Sequence, residues 1–190
     1  MTAPCLLSTP AQTVGPYLSI GMTWEHGEYV VPDRSAGSFW IRGRLLDGAE
    51  ESVPDGLVET WQADQDGEFG HAAPNVPAAG DGFRGFGRSL TGPDGAYAIH
   101  TVKPGRVGDN EGRMQAPHLD VSVFARGLLH RVVMRLYFGD ETAANAQDPV
   151  LASLPDEAAR STLIARPHVA GGYILNIRLQ GVHETVFFAV

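Results

Sequence analysis

Cysteine occurs once in this 190-residue chain, at Cys5. No internal disulfide can form, and no cysteine-based zinc site can be built. Cations are also scarce: 14 Lys and Arg stand against 22 Asp and Glu, for a net charge of −8. Polyphosphates and anionic membranes are bound by clustered Lys and Arg, which are missing here, so neither is expected as a partner. An anionic ligand gains nothing from the overall field and would need a local cation. No apolar run approaches the ~20 residues of a membrane-spanning helix. The first residues, MTAPCLLSTPAQ, lack the basic start and apolar stretch of a secretory signal, and a cytoplasmic protein is expected. With no internal repeat and no interdomain linker visible, one domain over residues 1–190 is expected.

Glycine and proline are abundant, 23 and 13, which favours turns and short strands over long helices. Residues 1–37 show no sustained period and carry Pro4, Pro10, Pro16 and Pro32, so they read as an extended arm lying on something else. Within the arm, Thr13-Val14-Gly15-Pro16-Tyr17 is the densest local signal. Gly15 permits close backbone approach and Pro16 fixes the chain direction.

From Ser38 the pattern becomes that of strands. Phe39, Ile41 and Leu45 alternate with Trp40, Arg42 and Arg44 up to the turn pair Asp47-Gly48. Further strands are expected over 56–64, 84–90, 96–102, 173–179 and 184–188, with a long loop over 65–82 and an irregular segment over 106–115. Residues 116–138, APHLDVSVFARGLLHRVVMRLYF, read as two adjacent antiparallel strands. Leu119, Val121, Val123 and Ala125 share one face of the first, and His118, Asp120 and Ser122 the other. On the second, Val132, Met134, Leu136 and Phe138 form the apolar face and Arg131, Val133, Arg135 and Tyr137 the opposite one. Short helices are expected over 143–147 and 156–164, the latter introduced by Pro155. The fold class is therefore all-β: a two-sheet β-sandwich over 38–190 with an extended N-terminal arm, long loops and short helices.

A histidine and a carboxylate on one strand face can hold a transition metal, often with a second histidine. His71, His100 and His130 are the candidates, and none has motif spacing to His118 and Asp120. Ser122, His118 and Asp120 on a flat strand do not make a nucleophile–base–orienter arrangement. The run Gly82-Phe83-Arg84-Gly85-Phe86-Gly87 opens no helix, so it is not a phosphate loop. Arg135 offers a planar fork for a carboxylate, with Tyr137 on the same face. On these residues alone, an independent iron enzyme using His118 and Asp120 and a non-catalytic β-sandwich carrier or interaction module both remain open.

Several segments carry a more specific signal: TPAQTVGPY at 9–17, LVETWQAD at 57–64, FGRSLTGPDGAYAIHTVKPG at 86–105, APHLDVSVFARG at 116–127, RLYFGDE at 135–141 and ETVFF at 184–188. In this order they resemble the intradiol ring-cleaving dioxygenases and their non-ligating partner chains. The resemblance implies a ferric ion, Fe(III), held by two tyrosines and two histidines of a homologous beta chain. Its histidine pattern, His-x-His, falls on His118-Leu119-Asp120, and its two tyrosine positions fall on Phe69 and Val107. Three of four ligand positions therefore lack a ligand, and by resemblance this chain holds no iron. What it implies instead is a role in trans within a higher hetero-oligomer. Thr13, Gly15, Pro16 and Tyr17 of the arm, together with Arg135, would close the end of the partner's pocket that receives the carboxylate of protocatechuate. The ring would be cleaved with O2 to 3-carboxy-cis,cis-muconate.

Overall fold

The computed structural model describes residues 21–69 and 82–189. Alternation of apolar and polar residues drives the chain into strands: β1 (Phe39–Leu46), β2 (Leu57–Trp61), β3 (Phe86–Leu90), β4 (Ala96–Thr101), β5 (His118–Phe124) and β6 (Val132–Phe138). Three short helices follow, α1 (Thr142–Asn145), α2 (Pro149–Ser153) and α3 (Glu157–Ser161), and then β7 (Ile164–Pro167), β8 (Tyr173–Ile174) and β9 (Ile177–Arg178). Hydrogen bonding links the strands in the order β3-β2-β5-β6-β7-β8-β1-β4, with β9 also on β1.

This path bends into two packed layers at β7. Ile164 and Ala165 pair in parallel with Tyr137 and Phe138 of β6, whereas Arg166 and Pro167 pair antiparallel with β8. A strand that changes sheets in this way makes the corner of a sandwich. The apolar faces then meet: Val58, Leu119, Val121, Val123, Met134 and Leu136 from one layer pack with Ile41, Leu45, Tyr97 and Ile177 from the other. Each such aliphatic side chain contributes about 1.5–3 kcal/mol on burial. Leu119, Val121, Val123 and Ala125 are all buried, as their parity requires, and the all-β sandwich is the observed fold. Among the described residues, no helix is long and apolar enough to cross a membrane.

The two terminal strands of the path, β3 and β4, are not left open. Residues 27–31 lie between them: Gly27 and Val30 accept from the backbone N–H groups of Arg88 and Arg84, Glu28 accepts from His100, and Val30 donates to His100. Val30 of this strap is fully buried. The described part of the expected arm thus satisfies sheet edges that would otherwise invite pairing with other chains.

Three segments to which the sequence reading gave a form take another. The stretch 173–179 is two two-residue strands interrupted at Leu175-Asn176, where the Asn176 side chain, not its backbone, accepts from the Arg44 N–H at 3.0 Å. Residues 184–188 make only one bridge, Val133 to Phe188, because Thr185 turns its N–H and hydroxyl to the Arg178 backbone. The expected helix over 156–164 stops at Ser161, and Ile164 starts the corner strand. Its start is as expected: Asp156 caps it by accepting from the Ala159 N–H at 2.8 Å.

Candidate functional site

His118 and Asp120 leave the outer face of β5, and cross-strand register sets Tyr137 beside His118 and Arg135 beside Asp120. Directly opposed residues share a sheet face, so these four side chains form one cluster. Asp120 accepts from Arg135 Nε at 3.0 Å, and Arg135 Nη1 donates to Gln115 Oε1 at 3.0 Å and approaches the Tyr137 hydroxyl at 3.5 Å. The Tyr137 hydroxyl donates in turn to Asp148 Oδ1 at 3.2 Å.

Asp148 is the anchor of the cluster. It is fully buried at the start of α2, where Oδ1 accepts from the N–H groups of Val150 and Leu151, while Oδ2 accepts from that of Ala116. One carboxylate thereby fixes the helix, the entry to β5 and the tyrosine of β6. Four donors offset the cost of burying its charge. Neither Asp148 nor α2 is among the sequence expectations. The signal was present in Asp148-Pro149, an N-cap residue followed by proline at the first helical position.

His118 is buried, and its Nδ1 lies 2.7 Å from the Ala116 carbonyl. A carbonyl only accepts, so Nδ1 carries the proton and Nε2 keeps its lone pair. Burial, followed by the nearby Arg135 charge, lowers the imidazole below its ordinary pKa of 6.5. Burial likewise dominates at Tyr137 and raises its hydroxyl above the ordinary value of 10.0, so the phenol stays protonated.

The remaining positions named from the sequence surround this cluster. Phe69 stacks on Trp61, with ring centroids 6.5 Å apart and planes at 3°, and Trp61 is the cross-strand neighbour of Asp120. Val107 accepts from the Gln115 N–H at 2.8 Å, and Gln115 in turn holds Arg135. Phe69, Val107, His118 and Asp120 therefore belong to one neighbourhood. The proposed second histidines do not join it: His100 is buried on β4 against Tyr29 and Trp40, and His130 is exposed before β6. His71, Thr13, Gly15, Pro16 and Tyr17 lie outside the described residues.

Similarity to known proteins extends over most of the chain, the residues of this cluster included. A family model described as dioxygenase matches residues 15–181. The protocatechuate 3,4-dioxygenase alpha chain of Pseudomonas putida is 39% identical over 203 residues, covering 99% of both chains. The chain belongs to the intradiol dioxygenase family. Another relative in the family, the protocatechuate 3,4-dioxygenase beta chain of Burkholderia cepacia, is 35% identical over 76% of this chain and 65% of its own length. Among solved structures, catechol 1,2-dioxygenase from Pseudomonas arvilla C-1 superposes with a TM-score of 0.59 over 80% of this chain and 55% of that one, at 16% identity. That likeness bears on the fold alone.

The family is iron-dependent, but the residues here do not fit a ferric ion. A phenylalanine and a valine offer no donor atom, and Asp120 is already neutralised by the Arg135 guanidinium. The one neutral nitrogen left, His118 Nε2, sits beside that fixed positive charge. Among the described residues, no three His, Cys, Asp or Glu side chains come together around a common point.

Proposed function

We propose that this chain is the alpha subunit of a protocatechuate 3,4-dioxygenase, holding no iron itself and completing the substrate pocket of a homologous beta subunit that does. The observation that carries the reading is the replacement of a ligand set by a cation. Where the family calls for anionic oxygen donors and a second histidine, this chain has Phe69, Val107 and an Asp120–Arg135 ion pair. Full-length similarity to an alpha chain and shorter similarity to a beta chain support the division of labour. The reaction is cleavage of protocatechuate between its two hydroxyl-bearing carbons with O2, giving 3-carboxy-cis,cis-muconate. It takes place in the cytoplasm within a hetero-oligomer of alpha–beta pairs.

In this reading the chain works as one domain, residues 1–190, with residues 1–37 as an arm and residues 38–190 as the sandwich. Thr13, Gly15, Pro16 and Tyr17 of the arm and Arg135 face the carboxylate-bearing end of the substrate. Arg135 is well suited to the role because Asp120 and Gln115 fix its Nε and Nη1 and leave Nη2 without a partner among the described residues. Its side chain is 19% exposed, so the charge is partly desolvated and a carboxylate meeting it is held more strongly than at an open surface.

The deciding experiment is metal analysis of the chain purified alone and after co-expression with the beta chain. The chain alone is expected to carry no stoichiometric iron and no activity, and both are expected with the pair. An iron-loaded, active lone chain would instead establish an independent enzyme and end this proposal.

A further inference from the structure

Residues 106–115, between β4 and β5, add no side chain to the sandwich core, yet they are tightly held. They double back as a short hairpin. Asp109 and Gln115 donate from their backbone N–H groups to the Arg113 and Val107 carbonyls, at 2.9 and 2.8 Å, and Gly108 bridges Met114. At the tip, Asp109 Oδ1 accepts from the N–H groups of Glu111 and Arg113. At the base, the Arg106 guanidinium donates to the Met114 and Gln115 carbonyls at 3.1 and 3.3 Å, tying the first residue of the hairpin to its last two. The base also rests on the turn at 64–68: Gly105 donates to the Asp64 carbonyl at 2.7 Å, and a Cβ on Gly67 would collide with the Arg106 carbonyl oxygen. Glycine at 67 is what permits that approach.

Ordering a surface hairpin costs conformational entropy that core burial does not offset here. Its one side-chain hydrogen bond to the strands is that of Gln115, whose Oε1 accepts from Arg135 Nη1 at 3.0 Å. Arginine only donates, so the amide oxygen faces the guanidinium. Because the N–H and C=O of Gln115 are both engaged, its side chain reaches Arg135 from a fixed backbone. The residue type matters as well. An amide holds Nη1 without adding negative charge, whereas a glutamate there would be a second counter-ion beside Asp120.

We propose that Gln115 is a positioning residue: held by the 106–115 hairpin, it sets the direction of the Arg135 guanidinium and thereby the preference of the assembled enzyme for catechols that bear a carboxylate. The inference rests on the reading of Arg135 given above. Asp120 anchors Nε, and one anchor alone lets the guanidinium plane swing. Gln115 on Nη1 is the second anchor, and together they fix the plane and the direction of Nη2. The Tyr137 hydroxyl, at 3.5 Å from Nη1, is at the limit of hydrogen bonding and does not replace it. A carboxylate contact remote from the carbons that react changes binding, so its loss is read in KM and not in kcat.

The test uses the enzyme co-expressed with the beta chain, as wild type, Gln115→Met, Gln115→Glu, Arg135→Ala and Met114→Ala. Steady-state kinetics are measured with protocatechuate and catechol, and calorimetry gives the Kd of 4-hydroxybenzoate, which keeps the carboxylate. Gln115→Met keeps the side-chain length and loses the acceptor. It is expected to raise the KM of protocatechuate relative to that of catechol, and the Kd of 4-hydroxybenzoate, about tenfold, with kcat within about twofold. Gln115→Glu keeps the acceptor and adds charge, so its loss is expected to be at least as large; if the amide served only to brace the fold, glutamate would restore the wild-type ratio. Met114→Ala, an exposed neighbour on the same hairpin, is the control and is expected to leave the ratio unchanged. The proposal is overturned by a wild-type preference in either Gln115 variant, by an equal loss of kcat on both substrates, or by the same shift in Met114→Ala. Should Gln115→Met fold poorly, Gln115→Glu decides alone. If Arg135→Ala loses the preference while the Gln115 variants keep it, this inference falls and the reading of Arg135 stands. If Arg135→Ala keeps the preference, both fall.

Discussion

His118 is buried in the β5–β6 cluster with one ring nitrogen committed to the backbone and the other left with its lone pair. Its Nδ1–H is fixed by the Ala116 carbonyl, the arrangement that prepares a histidine to ligate through Nε2. Burial and Arg135 keep the ring neutral. The consequence for stability follows from linkage: the folded state binds the proton less readily than the unfolded chain, whose histidine titrates near 6.5. The stabilisation is fully present above pH ~6.5 and is lost as pH falls toward the lowered folded value, with a slope of at most about 1.4 kcal/mol per pH unit for one proton. Urea unfolding between pH 7.5 and 5 is expected to show this decline in the wild type and a flatter profile in His118→Gln. Parallel profiles would place the pH dependence elsewhere. The pairing of His118 with Asp120 on one face was legible from strand parity alone. The Asp148 carboxylate was not, because its partners Ala116 and Tyr137 lie 32 and 11 residues away, and only the packed fold brings them together.

At the scale of elements, long alternating strands were readable and short ones were not. β5 and β6 declare themselves by period two, whereas β7 to β9 have two to four residues each and take their form from the corner and from β1. The break between β8 and β9 has a specific cause. Leu175 O, which accepts from the Tyr97 hydroxyl at 2.7 Å, comes so close to β1 that a Cβ on Gly43 would lie 1.7 Å from it. Only glycine admits that approach, which is the usual meaning of glycine within a strand. Gly43→Ala must therefore push β8 away from β1 or break the Tyr97 bond. The expected loss is about 3 kcal/mol or more, above the typical cost of a single substitution. Thermal or urea unfolding measures it, and a variant within about 0.5 kcal/mol of wild type would show that the two strands can separate freely.

At the scale of the whole molecule, residues 27–31 close the gap between the terminal strands and satisfy their edges. The β5–β6 face holds a guanidinium braced by its own neighbours. If that face completes a partner's pocket, Arg135 should discriminate between substrates that differ only in a carboxylate. In the assembled enzyme, Arg135→Ala is expected to lower kcat/KM for protocatechuate by the equivalent of about 2–5 kcal/mol while sparing catechol. Part of any such loss could come from stranding Asp120, whose carboxylate would keep its charge without its partner. The double variant Arg135→Ala/Asp120→Ala separates the two effects. If the cation itself recognises the substrate, the double variant keeps the loss of preference. If stranded charge is the cause, removing Asp120 restores the preference, and Arg135 is then a structural counter-ion whose contribution ends within its own chain.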